Sequence, residues 1–167
     1  MVDILLLQAV SIAIASASVV AGVIYYALQL RHQARTRQDV VKTRQTDLLM
    51  RLYSTWGDES FQEAIWMVTD LEYKDYDDYV KKFGTHPTPH NVKIWKVGWF
   101  LNGIGFLVQS QLADINLVDK LFGFYVIRLW EMMKPMVEGA RKQWRVPKSL
   151  EWFEYLYNEM KKREQRQ

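Results

Sequence analysis

The 167-residue sequence contains no cysteine, which excludes disulfides, thiolate nucleophiles and thiolate metal sites. Proline occurs four times and glycine eight times, so few positions interrupt a helix. No stretch alternates apolar with polar residues and is also rich in β-branched side chains, so we expect no β-strand. No segment repeats with a period of about 20 to 50 residues, which excludes a solenoid. These absences favour an all-α fold.

The composition excludes an intrinsically disordered chain. Hydrophobic residues make up 49%, aromatic residues 14% and charged residues 25%, whereas disordered segments have few aromatic side chains and a large charge imbalance. We predict an all-α protein in three parts. A single transmembrane anchor over residues 1–30 continues into a basic juxtamembrane stalk helix over 31–47, and a cytoplasmic helical bundle follows over 48–167.

An uncharged stretch, residues 4–28, has the properties of a transmembrane helix. About 25 helical residues rise roughly 37 Å, and the hydrocarbon core of a bilayer is about 30 Å thick. Tyr25 and Tyr26 fall where interfacial aromatic side chains are expected. A cleaved signal peptide is the alternative, because residues 13–15 and 15–17 resemble Ala-x-Ala cleavage sites. The stretch is longer than a typical signal-peptide core and no Lys or Arg precedes it, so we expect a retained signal-anchor.

The flanking charges predict the orientation of this anchor. Only Asp3 precedes it, whereas five Lys or Arg residues follow within 31–44. The positive-inside rule then places the beginning of the chain outside the cell membrane and the bundle in the cytoplasm. Basic side chains at an anionic inner leaflet each contribute about 1 kcal/mol. The residues predicted to contact anionic lipid are Arg31, Arg35, Arg37 and Lys42.

Small residues form two stripes along the anchor. Ala9, Ala13, Ala17 and Ala21 recur every four residues, and Ser11, Ala15, Ser18 and Gly22 recur at 4-3-4 spacing. The second stripe is straighter, because it drifts by only about 20° along the helix. Small residues let two transmembrane helices approach closely, so these stripes predict a homo-oligomer. The alternative is that Ala and Ser are simply common in membrane spans.

Several turn and capping patterns divide the bundle into helices. Because no glycine or proline interrupts the stalk, we predict one helix that runs from the anchor to the apolar residues 48–56. Further helices are predicted to start at Ser60, Asp75, Asn116 and Ser149. The two prolines in 85–90 predict a loop, and Pro135 is expected to end or kink a helix. Residues 91–112 are expected to form the central buried helix, in which Gly98, Gly103 and Gly105 allow close packing. A re-entrant membrane segment is the alternative for this stretch.

Residues that could support chemistry lack the spacing that catalytic or metal sites require. The histidines are His32, His86 and His90, and no H-E-x-x-H, E-x-x-H, P-loop or G-x-S-x-G pattern occurs. The acidic stretch 70–78 lacks the glycine and the final glutamate of a calcium loop, so we expect a solvated face or a partner for the stalk arginines. Partly buried ion pairs are expected around Arg128, Glu131 and Glu138. We predict no enzyme, cofactor or metal.

The aromatic and charged residues suggest structural roles. The seven tryptophans are spread over most predicted helices, and we expect them to form an aromatic core. Residues 57–90 carry eight Asp or Glu and three Lys, whereas 31–56 carry six Lys or Arg and two Asp. This acidic middle opposes nucleic-acid binding, for which no motif is present. The expected partners are anionic lipid, further copies of the chain and an unidentified cytoplasmic protein.

Four segments carry a resemblance to a known family: 51–56 (RLYSTW), 61–64 (FQEA), 72–78 (EYKDYDD) and 152–157 (WFEYLY). In these the chain resembles an uncharacterised prokaryotic family of single-span membrane proteins with a basic juxtamembrane helix and a helical cytoplasmic domain of unknown function. The resemblance covers most of the chain and implies fold and topology. It implies no activity, cofactor or catalytic residue.

These features predict a membrane-anchored interaction, signalling or scaffold module that acts as a homo-oligomer. A small homo-oligomeric channel is the alternative, with Gln8, Ser11 and Ser18 lining the pore and Arg31 and Arg35 at its cytoplasmic mouth. A membrane-tethered enzyme is a third hypothesis, and it would require convergent polar groups in a cytoplasmic pocket.

Overall fold

A computed structural model describes residues 2–85 and 88–166, without the side chains of residues 2, 3, 5, 13, 34, 37 and 38. The described residues form α1 (Val2–Trp56), α2 (Glu59–Thr69), α3 (Tyr76–Phe83), α4 (Pro89–Gln109), α5 (Ile115–Gln143) and α6 (Glu151–Glu164). No strand occurs among them, which confirms the all-α fold class. The chain divides into two compact units, Met1–Arg44 and Gln45–Gln167.

The helix α1 is continuous over 55 residues, as the sequence predicted for the anchor and the stalk. It contains no proline, and Gly22 is its only glycine. In its last part Leu49 and Trp56 are buried in the core of the second unit, whereas Tyr53 stays half-exposed. Tertiary packing therefore begins only in the last turns of α1.

Aspartates cap α2 and α5 where the sequence pattern indicated other residues. The Asp58 carboxylate accepts a hydrogen bond from Phe61 N at 3.2 Å, and the Ser60 hydroxyl donates to Asp58 instead of capping the helix. Asp114, and not Asn116, caps α5. In both cases the aspartate has the extended backbone that an N-cap requires. The predictions for Ser60 and Asn116 were therefore wrong by two residues.

The boundaries of α3 agree with the sequence prediction. The Asp75 carboxylate accepts from Asp78 N at 2.9 Å, and Gly84 ends the helix at φ +80°. An amino acid with a side chain would be strained at position 84, because L-amino acids rarely adopt a positive φ. The loop predicted over 85–90 is shorter than expected, because Thr88 caps α4 and Pro89 lies in the first turn of α4. Proline is tolerated there, since the N–H that it lacks would have no partner inside the helix. His86 and Pro87 lie outside the described residues.

Helix α5 continues through Pro135 up to Gln143, so Pro135 does not end the helix, which was one of the two outcomes that the sequence predicted. Proline inside a helix costs about 3 kcal/mol, since it removes a hydrogen bond and crowds the preceding turn. Met133, Met136 and Val137 around it are fully buried. We attribute the continuity of α5 to this burial, because each such side chain contributes about 1.5–3 kcal/mol.

Helix α6 begins at Glu151, two residues after the predicted start at Ser149, and its cap comes from another helix. Leu150 precedes it in a left-handed conformation, φ +57°, and provides no side-chain cap. Instead the Asn102 side-chain oxygen on α4 accepts hydrogen bonds from Trp152 N at 3.0 Å and Phe153 N at 3.2 Å. Two otherwise unpaired donors of α6 are thereby satisfied.

Two glycines let α4 pack closely: Gly105 against α6, and Gly98 against Leu150 just before α6 and Met133 on α5. A Cβ atom on Gly105 would lie 2.0 Å from the carbonyl oxygen of Trp152, and one on Gly98 would lie 2.9 Å from Leu150 Cδ1. Gly98 and Gly105 therefore have the close-packing role that the sequence predicted. Gly103 does not, since a Cβ there meets nothing within 4 Å.

The tryptophans are divided between the core and the surface, so the prediction of an all-core role was only partly right. Trp56, Trp95 and Trp130 are buried. The Trp56 ring lies 5.7 Å from that of Phe61 and 5.2 Å from that of Phe122, which joins α1, α2 and α5. By contrast, three tryptophans expose a large part of their side chains: Trp66, Trp99 and Trp144.

We predict that Gly105→Ala destabilises the second unit by about 2 kcal/mol or more, because the new methyl group would force α4 and α6 apart. Gly103→Ala is the matched control, and it should stabilise the same helix by roughly 0.5–1 kcal/mol. The measurement is the denaturant dependence of tryptophan fluorescence in detergent. Equal effects of the two substitutions would contradict the packing described here.

Candidate membrane segment

The apolar part of α1 has no protein around it in the first unit. Leu6–Gln33 is long enough to cross a membrane, its most apolar window has a mean hydropathy of 2.0, and none of that window is buried. Leucine, isoleucine and valine side chains point outwards all around this helix. Exposing apolar surface to water costs roughly 25 cal/mol per Å². The segment therefore has the length and composition of a membrane span, properties that a signal sequence near the beginning of a chain shares.

The two predicted stripes of small residues lie on different faces of α1. At about 100° per residue, Ser11, Ala15, Ser18 and Gly22 fall within one narrow exposed face. Ala9, Ala17 and Ala21 are also exposed, on another side of the helix. The side chain of Ala13 lies outside the described ones. A Cβ on Gly22 would meet nothing within 4 Å, so this face is open.

The serine hydroxyls of the straighter stripe have partners inside their own helix. Ser11 Oγ donates to Leu7 O and Ser18 Oγ donates to Ile14 O, both at 2.8 Å. A hydroxyl that donates to the carbonyl four residues earlier has its only hydrogen paired within the helix. Both serines can therefore lie against lipid or against another helix without leaving a hydrogen-bond donor unpaired.

Three of the four predicted lipid contacts share a face of α1. Arg31, Arg35 and Lys42 are exposed, and their spacing of four and seven residues places them within about 40° of one another. The side chain of Arg37 lies outside the described ones. A row of cations on one side of a helix suits a planar anionic surface.

The acidic stretch of the second unit is used partly for structure. Besides the capping role of Asp75, the Asp78 carboxylate accepts from Lys74 N and pairs with Lys82 at 3.0 Å. Its pKa lies below the usual range, first because of the backbone hydrogen bond and then because of Lys82. Among the described residues, no group of three or more His, Asp or Glu side chains could hold a metal ion.

The ion pairs of α5 are more exposed than the sequence suggested. Glu131 lies 3.8 Å from Lys161, Glu138 lies 3.8 Å from Lys134, and about half of each glutamate side chain is exposed. Arg128 is exposed as well. The prediction of partly buried pairs was wrong at these positions because they lie on the outward side of α5.

A shielded ion pair forms instead where α5 meets α6, which sequence reasoning missed. Arg141 Nη1 bonds to Glu154 at 2.7 Å, and its Nε donates to the carbonyl of Ser149 at 2.8 Å. The same guanidinium lies 5.9 Å from the ring centre of Trp130. These contacts tie the connection between α5 and α6 to the core.

A buried asparagine holds the end of α3, and this role too was not predicted. Asn91 is fully buried, and its amide donates to the carbonyls of Gly84 at 2.9 Å and Phe83 at 3.3 Å. Its oxygen accepts a hydrogen bond from the hydroxyl of Tyr79. His90 stacks on Phe83 with 4.8 Å between the ring centres. The asparagine therefore satisfies the last carbonyls of α3, which is a structural use of its polarity.

A shallow cavity of about 660 Å³ lies where α3 meets α5. Its lining includes the carboxylates of Asp75, Asp77 and Glu138 and the amine of Lys142. Tyr76 covers one side and packs so closely on Gly139 that a Cβ there would lie 2.1 Å from its ring. The Asp75 carboxylate is already engaged in capping α3.

The comparison with protein families gives a match over most of the chain. The model of a domain of unknown function, DUF4760, matches residues 14–160. The chain belongs to this family. The match begins inside the apolar segment of α1 and ends within α6, so it includes part of the candidate membrane segment and nearly all of the second unit. No curated protein and no solved structure matches the chain.

Tyrosines near the acidic stretch give the second unit a testable pH dependence. The Tyr73 hydroxyl donates to Met132 O at 2.5 Å, and burial raises the pKa of Tyr73 to about 12. Burial, together with Tyr73 and Tyr76, also raises the pKa of Tyr79. An unfolded tyrosine ionises at about pH 10. Stability is therefore fully present below this pH and is lost as the pH rises through the folded-state pKa.

We predict that Tyr73→Phe weakens this alkaline loss of stability. Below about pH 10 the variant should be less stable by about 1 kcal/mol, because it lacks the hydrogen bond to Met132. Above about pH 10 the difference in unfolding free energy between the parent protein and the variant should narrow. The reason is that only the parent must keep the Tyr73 hydroxyl protonated in the folded state. Denaturant unfolding at a series of pH values measures both effects, and parallel curves at all pH values would contradict the prediction.

Proposed function

We propose that the protein is a membrane-anchored helical scaffold that recruits or signals to a cytoplasmic protein and assembles as a homo-oligomer through the first part of α1. The observation that carries this proposal is the uncovered apolar helix over residues 4–28. Its side chains require an apolar environment, and a bilayer supplies one that matches its length. The second unit has its own buried core and so is suited to work in water.

The basic residues after the anchor support the proposed orientation. Arg31, Arg35 and Lys42 are exposed on one face of α1, and Arg37 and Arg44 add positive charge to the same stretch. By the positive-inside rule this stretch stays at the inner surface of the cell membrane, where anionic lipids attract it. The second unit is accordingly proposed to be cytoplasmic.

The straight stripe of small residues supports self-association. In lipid, helices associate through close van der Waals contact, which Ser, Ala and Gly permit. The internally bonded hydroxyls of Ser11 and Ser18 favour close packing over the pore-lining role of the channel alternative, because they need no water. Several polar groups of the second unit serve as caps and ties, among them Asp58, Asp75 and Asn102. We therefore propose a binding role and no catalysis.

We predict that Ile14→Arg releases the protein from membranes. A central arginine costs about 2.5–3.5 kcal/mol for insertion of a helix, and Ile14 lies near the middle of the uncharged stretch. Leu30→Arg is the matched control, since it adds the same charge beside the existing basic residues. Alkaline extraction of cell membranes followed by flotation measures the difference. A wild-type chain that is fully extracted would contradict membrane anchoring.

We predict that single cysteines at three successive positions crosslink unequally. Ala17, Ser18 and Val19 lie at nearly one membrane depth but about 100° apart around the helix, and the chain has no other cysteine. Ser18→Cys should give the most disulfide-linked dimer, and Ala17→Cys and Val19→Cys should both give less. A maximum at Ala17→Cys would move the interface to the alanine stripe.

Equal crosslinking at all three positions, or none, would contradict a defined helix interface. Ion flux through liposomes containing the protein, if abolished by Ser18→Leu, would instead support the channel alternative.

A further inference from the structure

One side of the second unit carries exposed aromatic residues that the core does not use. On α4 the outward positions Val92, Lys96, Trp99, Gly103 and Phe106 fall within about 80° of one another. Trp99 is 54% exposed and Phe106 is 47% exposed. Together with the segment 142–148, which contributes Trp144 and Val146, we call this surface the α4 face.

The aromatic rings of the α4 face lie in two groups, and each group packs on a less exposed ring, Trp95 or Trp152. The ring centres of Trp95 and Trp144 are 5.9 Å apart, and those of Phe106 and Trp152 are 6.1 Å apart. A groove of about 350 Å³ lies among Trp95, Trp99, Trp144, Val146 and Ser149. Isolated exposed apolar residues are normal on soluble proteins, but a contiguous patch marks an interaction surface.

The two stretches of sequence that form the α4 face contain basic but no acidic side chains. No Asp or Glu occurs between residues 79 and 113 or between 139 and 150. In space, carboxylates from other segments come near them, because Glu63 pairs with Lys93 at 2.8 Å and Glu138 lines a cavity with Lys142. Lys142, Arg145 and Lys148 are exposed on the second stretch, and Lys96 is exposed on α4. Lys96 also contacts Ser60 at 3.3 Å, so it lies at the edge of the face.

We propose that the α4 face docks on the surface of an anionic bilayer. Tryptophan prefers the headgroup region, where its apolar ring and its polar N–H are both accommodated. Lysine and arginine beside it gain from the negative surface potential. A core interface between protein subunits is instead depleted of lysine, which makes a second copy a poorer fit to this surface.

The second unit provides an internal comparison. Trp66 and Phe124 are also highly exposed, at 65% and 68%, and they line a groove with Tyr125, Asp70 and Arg128. This other aromatic surface has a carboxylate as well as a guanidinium, so it has no net attraction for anionic lipid. The contrast between the two surfaces identifies charge as the deciding property.

The docking proposal rests on the proposed function in one respect, because the anchor keeps the second unit at a membrane. Contact of the α4 face with lipid would then be an intramolecular event at high effective concentration. A modest intrinsic affinity of the α4 face for lipid would then suffice for docking. Neutralising the basic residues of this face would release it from the lipid surface, while the anchor would still hold the protein in the membrane.

The test uses single cysteines labelled with an environment-sensitive fluorophore in the full chain. Gly103→Cys places the label on the α4 face, where a Cβ meets nothing within 4 Å. Thr69→Cys places it on the other aromatic surface as the matched control, because Thr69 lines the same groove and the substitution keeps both Asp70 and Arg128. Each labelled chain is reconstituted in phosphatidylcholine nanodiscs with or without phosphatidylserine, and the measurements are emission wavelength and quenching by iodide.

We expect a blue shift and a severalfold fall in iodide quenching for Gly103→Cys in phosphatidylserine discs, reversed by salt, with no change for Thr69→Cys. Replacing Lys142, Arg145 and Lys148 with glutamine should abolish the effect. Equal quenching of the two labels in anionic discs would overturn the proposal. Shielding that disappears when each disc holds one chain would overturn it in favour of a second copy.

Failure of the anchor would give a different result. A chain that does not co-purify with nanodiscs contradicts the proposed function. The same labelled chain mixed with phosphatidylserine vesicles then still tests whether the α4 face binds lipid, since a spectral change there supports docking and its absence overturns it.

Discussion

In the second unit, Asn102 on α4 caps a helix other than its own, and this contact fixes the beginning of α6 against α4. The Asn102 side-chain oxygen accepts hydrogen bonds from the backbone N–H groups of Trp152 and Phe153. These bonds serve as the N-cap of α6, because Leu150 provides no side-chain cap. The approach needed for these bonds requires Gly98 and Gly105 on the neighbouring face of α4. Once α6 is fixed in this way, Phe153, Leu156 and Met160 are carried into the core. The outward face of α4 is left with the tryptophan and phenylalanine side chains described above.

The two units differ in what can cover their apolar side chains. In Gln45–Gln167 apolar side chains from several helices cover one another, and polar groups such as Asn91 are paired inside. In Met1–Arg44 a single helix exposes its apolar side chains all around, so only an outside apolar medium can cover them. This contrast between an apolar helix without cover and a unit with its own core is the basis on which we propose a membrane anchor joined to a scaffold.

Periodicity and composition predicted the helices well, but not the contacts that fix them. The continuous α1, the cap at Asp75 and the stop at Gly84 follow from local rules that a sequence displays directly. The caps at Asp58 and Asp114 were missed by two residues because several polar residues competed for each. The passage of α5 through Pro135, the use of Asn102 and the burial of Asn91 depend on residues far along the chain. The exposure of Trp99 could not be predicted either. Residues 91–112 are apolar on most sides of the helix, so the sequence does not show which side remains in contact with solvent.

The most direct test of membrane anchoring is a depth profile of α1 in lipid. Nitroxide labels on single cysteines from Ile4 to Lys42 report accessibility to oxygen, which concentrates in the bilayer centre, and to a water-soluble nickel complex. The account predicts that the ratio of oxygen to nickel accessibility reaches its maximum near Ile14 to Ser18 and falls to the value in water beyond Arg31. A profile that is flat along the helix, with nickel reaching Ile14 as readily as Arg35, would contradict it.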